Sequence, residues 1–108
     1  MSYLKDCVLL KDQKRNCIRF RNSEGWAHLK RKTEVCYWLA KKGYEFYTEA
    51  EFKTGGRADI VVYAPEEFIV EIVNSEKKES IDVKKEFYPT SDIRVISARQ
   101  RFNYLDIL

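Results

Sequence analysis

Apolar positions Trp26, Leu29, Cys36, Leu39 and Ala40 recur at helical spacing, and Lys41-Lys42-Gly43 supplies the basic last turn and the glycine of a C-terminus. With Asn22 or Ser23 as its cap, this pattern predicts the longest helix of the chain. The period then changes. Tyr44 to Phe52 alternates Phe46, Thr48, Ala50 and Phe52 and reads as a strand, ended by the turn Thr54-Gly55-Gly56. Arg57 to Tyr63, with Ile60-Val61-Val62, and Phe68 to Val73 read as two further strands around the turn Ala64-Pro65-Glu66-Glu67. Ser75 or Ser80 then caps a predicted helix that ends near Tyr88, because Pro89 forces its predecessor out of the helical region. Ile93 to Ser97 is a last strand. Upstream of all this, Cys7-Val8-Leu9-Leu10 and Cys17-Ile18-Arg19-Phe20 flank a polar stretch and read as a hairpin or two short edge strands. The sum is an α/β (α+β) fold: one mixed central sheet flanked by helices, with an N-terminal β extension.

Two residues do not suit that pattern. Asp59 directly precedes Ile60-Val61-Val62, and Glu71 interrupts Ile69-Val70-Glu71-Ile72-Val73. An ionised carboxylate in an apolar strand is costly unless it is paired or bound to a metal. If the two strands are hairpin partners, the carboxylates lie side by side at one end of the sheet and form a negative pocket for a hard cation, magnesium or manganese rather than zinc. The competing reading has Asp59 accepting hydrogen bonds in the Gly-Gly turn and Glu71 facing solvent on an edge strand. Glu49 and Glu51, on the preceding strand, read as solvent-facing or supporting groups, and His28 as a surface residue without a role.

Glu34 on the first long helix, Gly55-Gly56-Arg57-Ala58-Asp59-Ile60-Val61-Val62, Ile69-Val70-Glu71-Ile72-Val73-Asn74-Ser75 and Lys84-Lys85-Glu86-Phe87-Tyr88-Pro89 form an ordered set that resembles the PD-(D/E)xK nuclease superfamily. The small archaeal Holliday-junction resolvases are among its members. The resemblance implies a restriction-endonuclease-like core and a metal-dependent endonuclease that hydrolyses DNA. Asp59 and Glu71 would be the principal ligands of Mg2+ or Mn2+, the Ile72 carbonyl a further one, and Glu34 a ligand reaching in from the helix, directly or through water. The family's lysine, expected two residues after Glu71, is here Val73. Lys84 on the following helix is the expected replacement, sharing a helical face with Tyr88, with Lys85 and Lys77 as reserves. Two other readings stand beside the enzyme: a degenerate member of the fold that binds nucleic acid without cutting it, and a small α/β interaction module. Glu34 likewise has a plain alternative, a helical ion pair with Arg31 or Lys30.

Composition narrows the classes. With 108 residues, 44 % hydrophobic and 34 % charged, the chain fits a single folded domain and not a disordered one. No apolar run approaches the ~20 residues needed to cross a bilayer, and the N-terminus lacks a secretory h-region, so a cytoplasmic protein is expected. Cys7, Cys17 and Cys36 are too few and too scattered for a disulfide framework or a zinc site. The net charge of +3 hides an asymmetry: residues 11 to 42 hold ten Lys/Arg against Asp12, Glu24 and Glu34, which leaves +7 there and −4 elsewhere. A basic face favours an anionic partner. Lys30, Arg31, Lys32, Lys53 and Arg57 are the expected phosphate contacts, positioning DNA without reading its bases, and a small surface suggests a symmetric homodimer that cuts two strands.

Overall fold

The computed structural model describes residues 2–11, 13–74 and 88–107. The chain is a compact α+β unit built on a four-stranded mixed sheet. Its elements are α1 (Tyr3–Cys7), α2 (Trp26–Lys41), β1 (Glu45–Glu51), β2 (Arg57–Ala64), β3 (Phe68–Val73), β4 (Ile93–Ser97) and a short 3-10 helix (Tyr104–Asp106). The strands lie in the order β1-β2-β3-β4. The first two pairs are antiparallel, as short turns allow, and β3 pairs with β4 in parallel. A parallel neighbour requires a crossover, here residues 74–92. The helix predicted between Ser75 and Phe87 lies outside the described residues, and so do Lys77, Lys84 and Lys85.

Both faces of the sheet are covered, which explains why its strands read as nearly continuous apolar runs. Val35, Cys36 and Leu39 of α2 pack on Phe46, Ile60, Val62, Phe68, Val70 and Ile72. On the opposite face Leu4 and Val8 pack with Tyr47, Ala50, Phe52, Val61, Tyr63, Ile69 and Tyr88. Among the described residues no helix is long and apolar enough to cross a membrane.

Two expectations are corrected. The N-terminal segment is not a hairpin. It begins as α1, makes one antiparallel bridge from Val8 to Phe52, and then runs irregularly along the outer edge of β1. Asn16 N donates to Phe46 O and Asn16 Oδ1 accepts from Phe46 N, both at 2.9 Å, while Thr48 Oγ1 donates to Cys17 O and accepts from Arg19 N. The segment thus satisfies edge groups one bond at a time rather than by pairing as a strand. The second correction concerns α2, which starts after Gly25 and not at Asn22 or Ser23. Its first turn is delayed because the Glu24 carboxylate folds inward, onto His28 and Lys32, instead of leaving the chain free to cap.

Candidate functional site: a row of buried carboxylates where the sheet splits

The antiparallel ladder of β2 and β3 runs from Val62↔Phe68 to Ile60↔Val70 and stops there. Beyond that point side chains replace the ladder. Asp59 N donates to Glu71 Oε2 at 3.2 Å, and Ile72 N donates to Asp59 Oδ2 at 2.8 Å. The diverging backbones leave buried amides that need acceptors, and the two carboxylates supply them. Asp59 and Glu71 are therefore adjacent and almost fully buried, at 9 % and 5 % exposure.

A third carboxylate completes the row. Thr48↔Ile60 and Ala50↔Ala58 bracket Glu49 opposite Asp59. Glu49 has a left-handed backbone with φ 47°, a conformation that costs a non-glycine residue roughly 1–2 kcal/mol. The strands change faces at this level. Phe46 packs under α2 whereas Ala50 and Phe52 pack on the other face, and Ala58 lies opposite the face taken by Ile60. The interruption at one level of both strands turns Glu49 and Asp59 toward the start of α2. Glu49 is 5 % exposed, sits against Arg21 Nε and lies 3.7 Å from Lys32 Nζ, yet neither of its oxygens has an aligned hydrogen-bond donor among the described residues.

Helix α2 contributes cations to this row. His28 Nδ1 bonds Glu24 Oε2, and His28 Nε2 lies 3.3 Å from Asp59 Oδ2. Lys32, completely buried, places Nζ 2.6 Å from Arg19 O and 2.9 Å from Glu24 Oε1. Arg21 Nη2 stands 4.0 Å from Asp59 Oδ1. On the opposite face Tyr88 donates its hydroxyl to Glu71 Oε1 and lies 2.9 Å from Arg57 O.

These contacts set the protonation of the row. Burial and the charge of Asp59 push Glu71 up to about 8. Burial acts on Asp59 in the same direction, but the hydrogen bonds of His28 and of the Glu71 and Ile72 side outweigh it and hold Asp59 down at about 2. The bond to Asp59 raises His28 against the effect of burial, with Glu24 adding to the rise. Burial raises Glu49, partly offset by Lys32. Counting Glu24, Glu49, Asp59 and Glu71 as four negative charges against Arg21, Lys32 and protonated His28 as three positive leaves one excess negative charge. A proton on Glu71, or a cation beside it, balances the cluster.

The structure brings together Asp59 and Glu71 but not Glu34. Its carboxylate, with the side chain 41 % exposed, pairs with Arg31 Nη1 at 3.1 Å. Six residues separate His28 from Glu34, about 120° around a helix that turns ~100° per residue, so only one of them can face Asp59. The expected phosphate contacts divide in the same way. Lys30, Lys53 and Arg57 are exposed. Lys32 is not available to a phosphate, because Glu24, Glu49 and the Arg19 carbonyl surround its ammonium. Arg31 is spent on Glu34 and on the carbonyls of Ser97 and Gln100, and lies over the Phe102 ring at 5.8 Å.

The sequence reading gave His28 no role, made Lys32 a phosphate contact and left Glu49 a solvent-facing or supporting group, and so missed the place of all three in the buried row. The signal was present for the first two: His28, Lys32, Val35, Cys36 and Leu39 form one buried stripe at spacings of four, three, one and three. Nothing in the sequence marked Glu49. Among the described residues no group of three or more His, Cys, Asp or Glu side chains is arranged to hold a metal ion. Compared with protein-family models, curated proteins and solved structures, the chain matches none.

Proposed function

We propose that the chain is a metal-dependent nuclease with a restriction-endonuclease-like core, which hydrolyses DNA phosphodiester bonds at Asp59 and Glu71. One observation carries this reading: two buried carboxylates from adjacent strands lie side by side where the ladder opens, Glu71 accepting from the Asp59 amide and Asp59 from the Ile72 amide. The donor chemistry fits magnesium or manganese, since Asp59, Glu71 and Glu49 offer carboxylate oxygens and, among the described residues, the buried oxygens of Glu49 lack aligned donors. Asp59, Glu71 and the Ile72 carbonyl would hold the ion, which when bound polarises the phosphate and makes a water more acidic. Tyr88 and the Asp59 amide fix the Glu71 carboxylate, and the Ile72 amide and His28 fix that of Asp59. Exposed Lys53, on the turn that leads into β2, Arg57, the first residue of β2, and Lys30 on α2 would take the flanking phosphates.

A second reading is favoured by a separate observation. His28 and Arg21 already flank the Asp59 carboxylate, and Val73 stands where the resembling nucleases carry lysine. In that reading the fold grips DNA without cutting it. The two separate on purified protein incubated with supercoiled plasmid, single-stranded DNA and branched DNA, with magnesium or manganese and with chelator. The enzyme is expected to nick or cut only with metal, and Asp59→Asn or Glu71→Gln to reduce the rate at least about 100-fold. Metal-independent binding without cleavage on every substrate leaves the second reading, and equal cleavage by wild type and Asp59→Asn removes the site.

A further inference from the structure

At the far end of the sheet from Asp59, three aromatic side chains meet. The Trp38 ring is stacked with Tyr104 at 5.7 Å between centroids and 18°, and with Tyr44 at 6.2 Å and 24°. Tyr44 meets Phe68 edge-on. Two cavities adjoin this stack and share Trp38 and Tyr104 as walls. One, of about 560 Å³, is also lined by Arg101, Phe102 and Asn103, and the other, of about 320 Å³, by Lys42, Tyr44 and Pro65. Tyr104 remains 49 % exposed. The eight lining residues include two cations, Lys42 and Arg101, and no carboxylate. Neither cation has an ion-pair partner among the described residues, whereas Arg31, Lys32 and Arg94 all do.

We propose that this groove binds single-stranded nucleic acid, with an unpaired base stacked on the Tyr104–Trp38 pair and the adjoining phosphates held by Lys42 and Arg101. Aromatic rings joined by unpaired cations are the chemistry that grips an unstacked strand: every base has a face to stack, and the cations track its backbone. A peptide or a second copy of this chain would find the rings but no acidic counterpart fixed by the groove. The position also suits the candidate site. Trp38 is ten residues along α2 from His28, about 15 Å at ~1.5 Å per residue, a distance that a few nucleotides of a single strand span. The groove would then select DNA carrying a single-stranded stretch beside the bond that is cut. Binding here does not depend on hydrolysis, so its test is independent of the nuclease reading.

The experiment is fluorescence anisotropy of a labelled oligothymidylate with full-length protein in chelator, where no metal-dependent cleavage occurs, against the same length of duplex. The single strand is expected to bind more tightly. Tyr104→Ala should weaken it about fivefold or more, while Tyr104→Phe, which keeps the ring, stays within about twofold. Lys42→Gln with Arg101→Gln should flatten the log–log salt dependence by about 1.4, from about 0.7 per lost phosphate contact. In a Trp26→Phe background the remaining tryptophan, Trp38, should be quenched by the bound strand. Duplex preferred over single strand, or Tyr104→Ala binding like wild type with an unchanged melting curve, overturns the proposal. If Tyr104→Ala does not fold, the Lys42→Gln/Arg101→Gln protein decides alone, and an unchanged salt slope overturns it.

Discussion

The two ends of one sheet solve opposite problems. At the Asp59 end, Glu24, His28, Lys32, Glu49, Asp59 and Glu71 are polar groups withdrawn from water, and each is held mainly by another charge or by a backbone amide. At the Trp38 end, aromatic rings that could be buried are left partly exposed, and the cations beside them have no ion-pair partner among the described residues. A core built for stability alone would distribute its residues the other way, with rings inside and charges out. Both ends depart from that distribution, and so both are candidate sites. They differ in what holds them: the charged end is a closed network that fails when one member is removed, and the aromatic end is a set of weak pairs that fail one at a time.

Four outcomes break or sharpen that contrast. The largest is expected for Lys32→Ala, which takes the central cation from a buried cluster, leaving Glu24 only His28 and Glu49 only Arg21, and should cost about 3–5 kcal/mol in urea unfolding. A loss below about 1 kcal/mol would mean that water reaches the network. Next, Trp38→Ala removes two stacked pairs, each worth about 0.5–1.5 kcal/mol beyond its area. A double-mutant cycle of Trp38 with Tyr104 should return only one such pair.

The third outcome concerns pH. Glu71 is raised to about 8 from its ordinary 4.5, so between those values the folded state binds more protons than the unfolded one and stability falls as pH rises. Glu24 works in the opposite sense. Burial would raise it, but Lys32 and His28 outweigh burial and lower it, so its contribution is present above the unfolded value and is lost as pH falls through the folded one. Melting temperature measured in chelator should decline from pH 5 to pH 8 in wild type and stay flatter in Glu71→Gln. An identical decline in both proteins would remove Glu71 as its source. The smallest effect is expected at Glu34, where Glu34→Gln breaks a half-exposed helical pair and should change stability by no more than about 0.5 kcal/mol. DNA cleavage should also be unaffected, and a large loss of activity would restore Glu34 to the site.

The strands were legible because burial on both faces writes itself into composition: Tyr44 to Phe52, Arg57 to Tyr63, Phe68 to Val73 and Ile93 to Ser97 all overlap observed strands. So was the oddity of Asp59 and Glu71, since two acidic residues inside apolar runs stand out wherever the strands go. The N-terminal segment was not legible. Its apolar residues Leu9, Leu10, Ile18 and Phe20 are largely exposed, and its role along the β1 edge rests on scattered backbone bonds to Asn16, Cys17 and Arg19 that no periodicity encodes.

Sequence alone determined the long helix, the four strands and the oddity of two carboxylates in apolar runs, because these follow from local periodicity and from the cost of buried charge; the antiparallel pairing came from the tertiary structure. Only the tertiary structure decided which partners those carboxylates received. A helix can present Glu34 or His28 to a given strand but not both, and the choice is fixed by how α2 rotates when Val35, Cys36 and Leu39 seat on the sheet. That rotation carries Lys32 into the interior and Glu34 out to Arg31, and the left-handed backbone at Glu49 turns a third carboxylate inward. Polar side chains follow the backbone to which they are attached, so their surroundings are settled by apolar packing elsewhere.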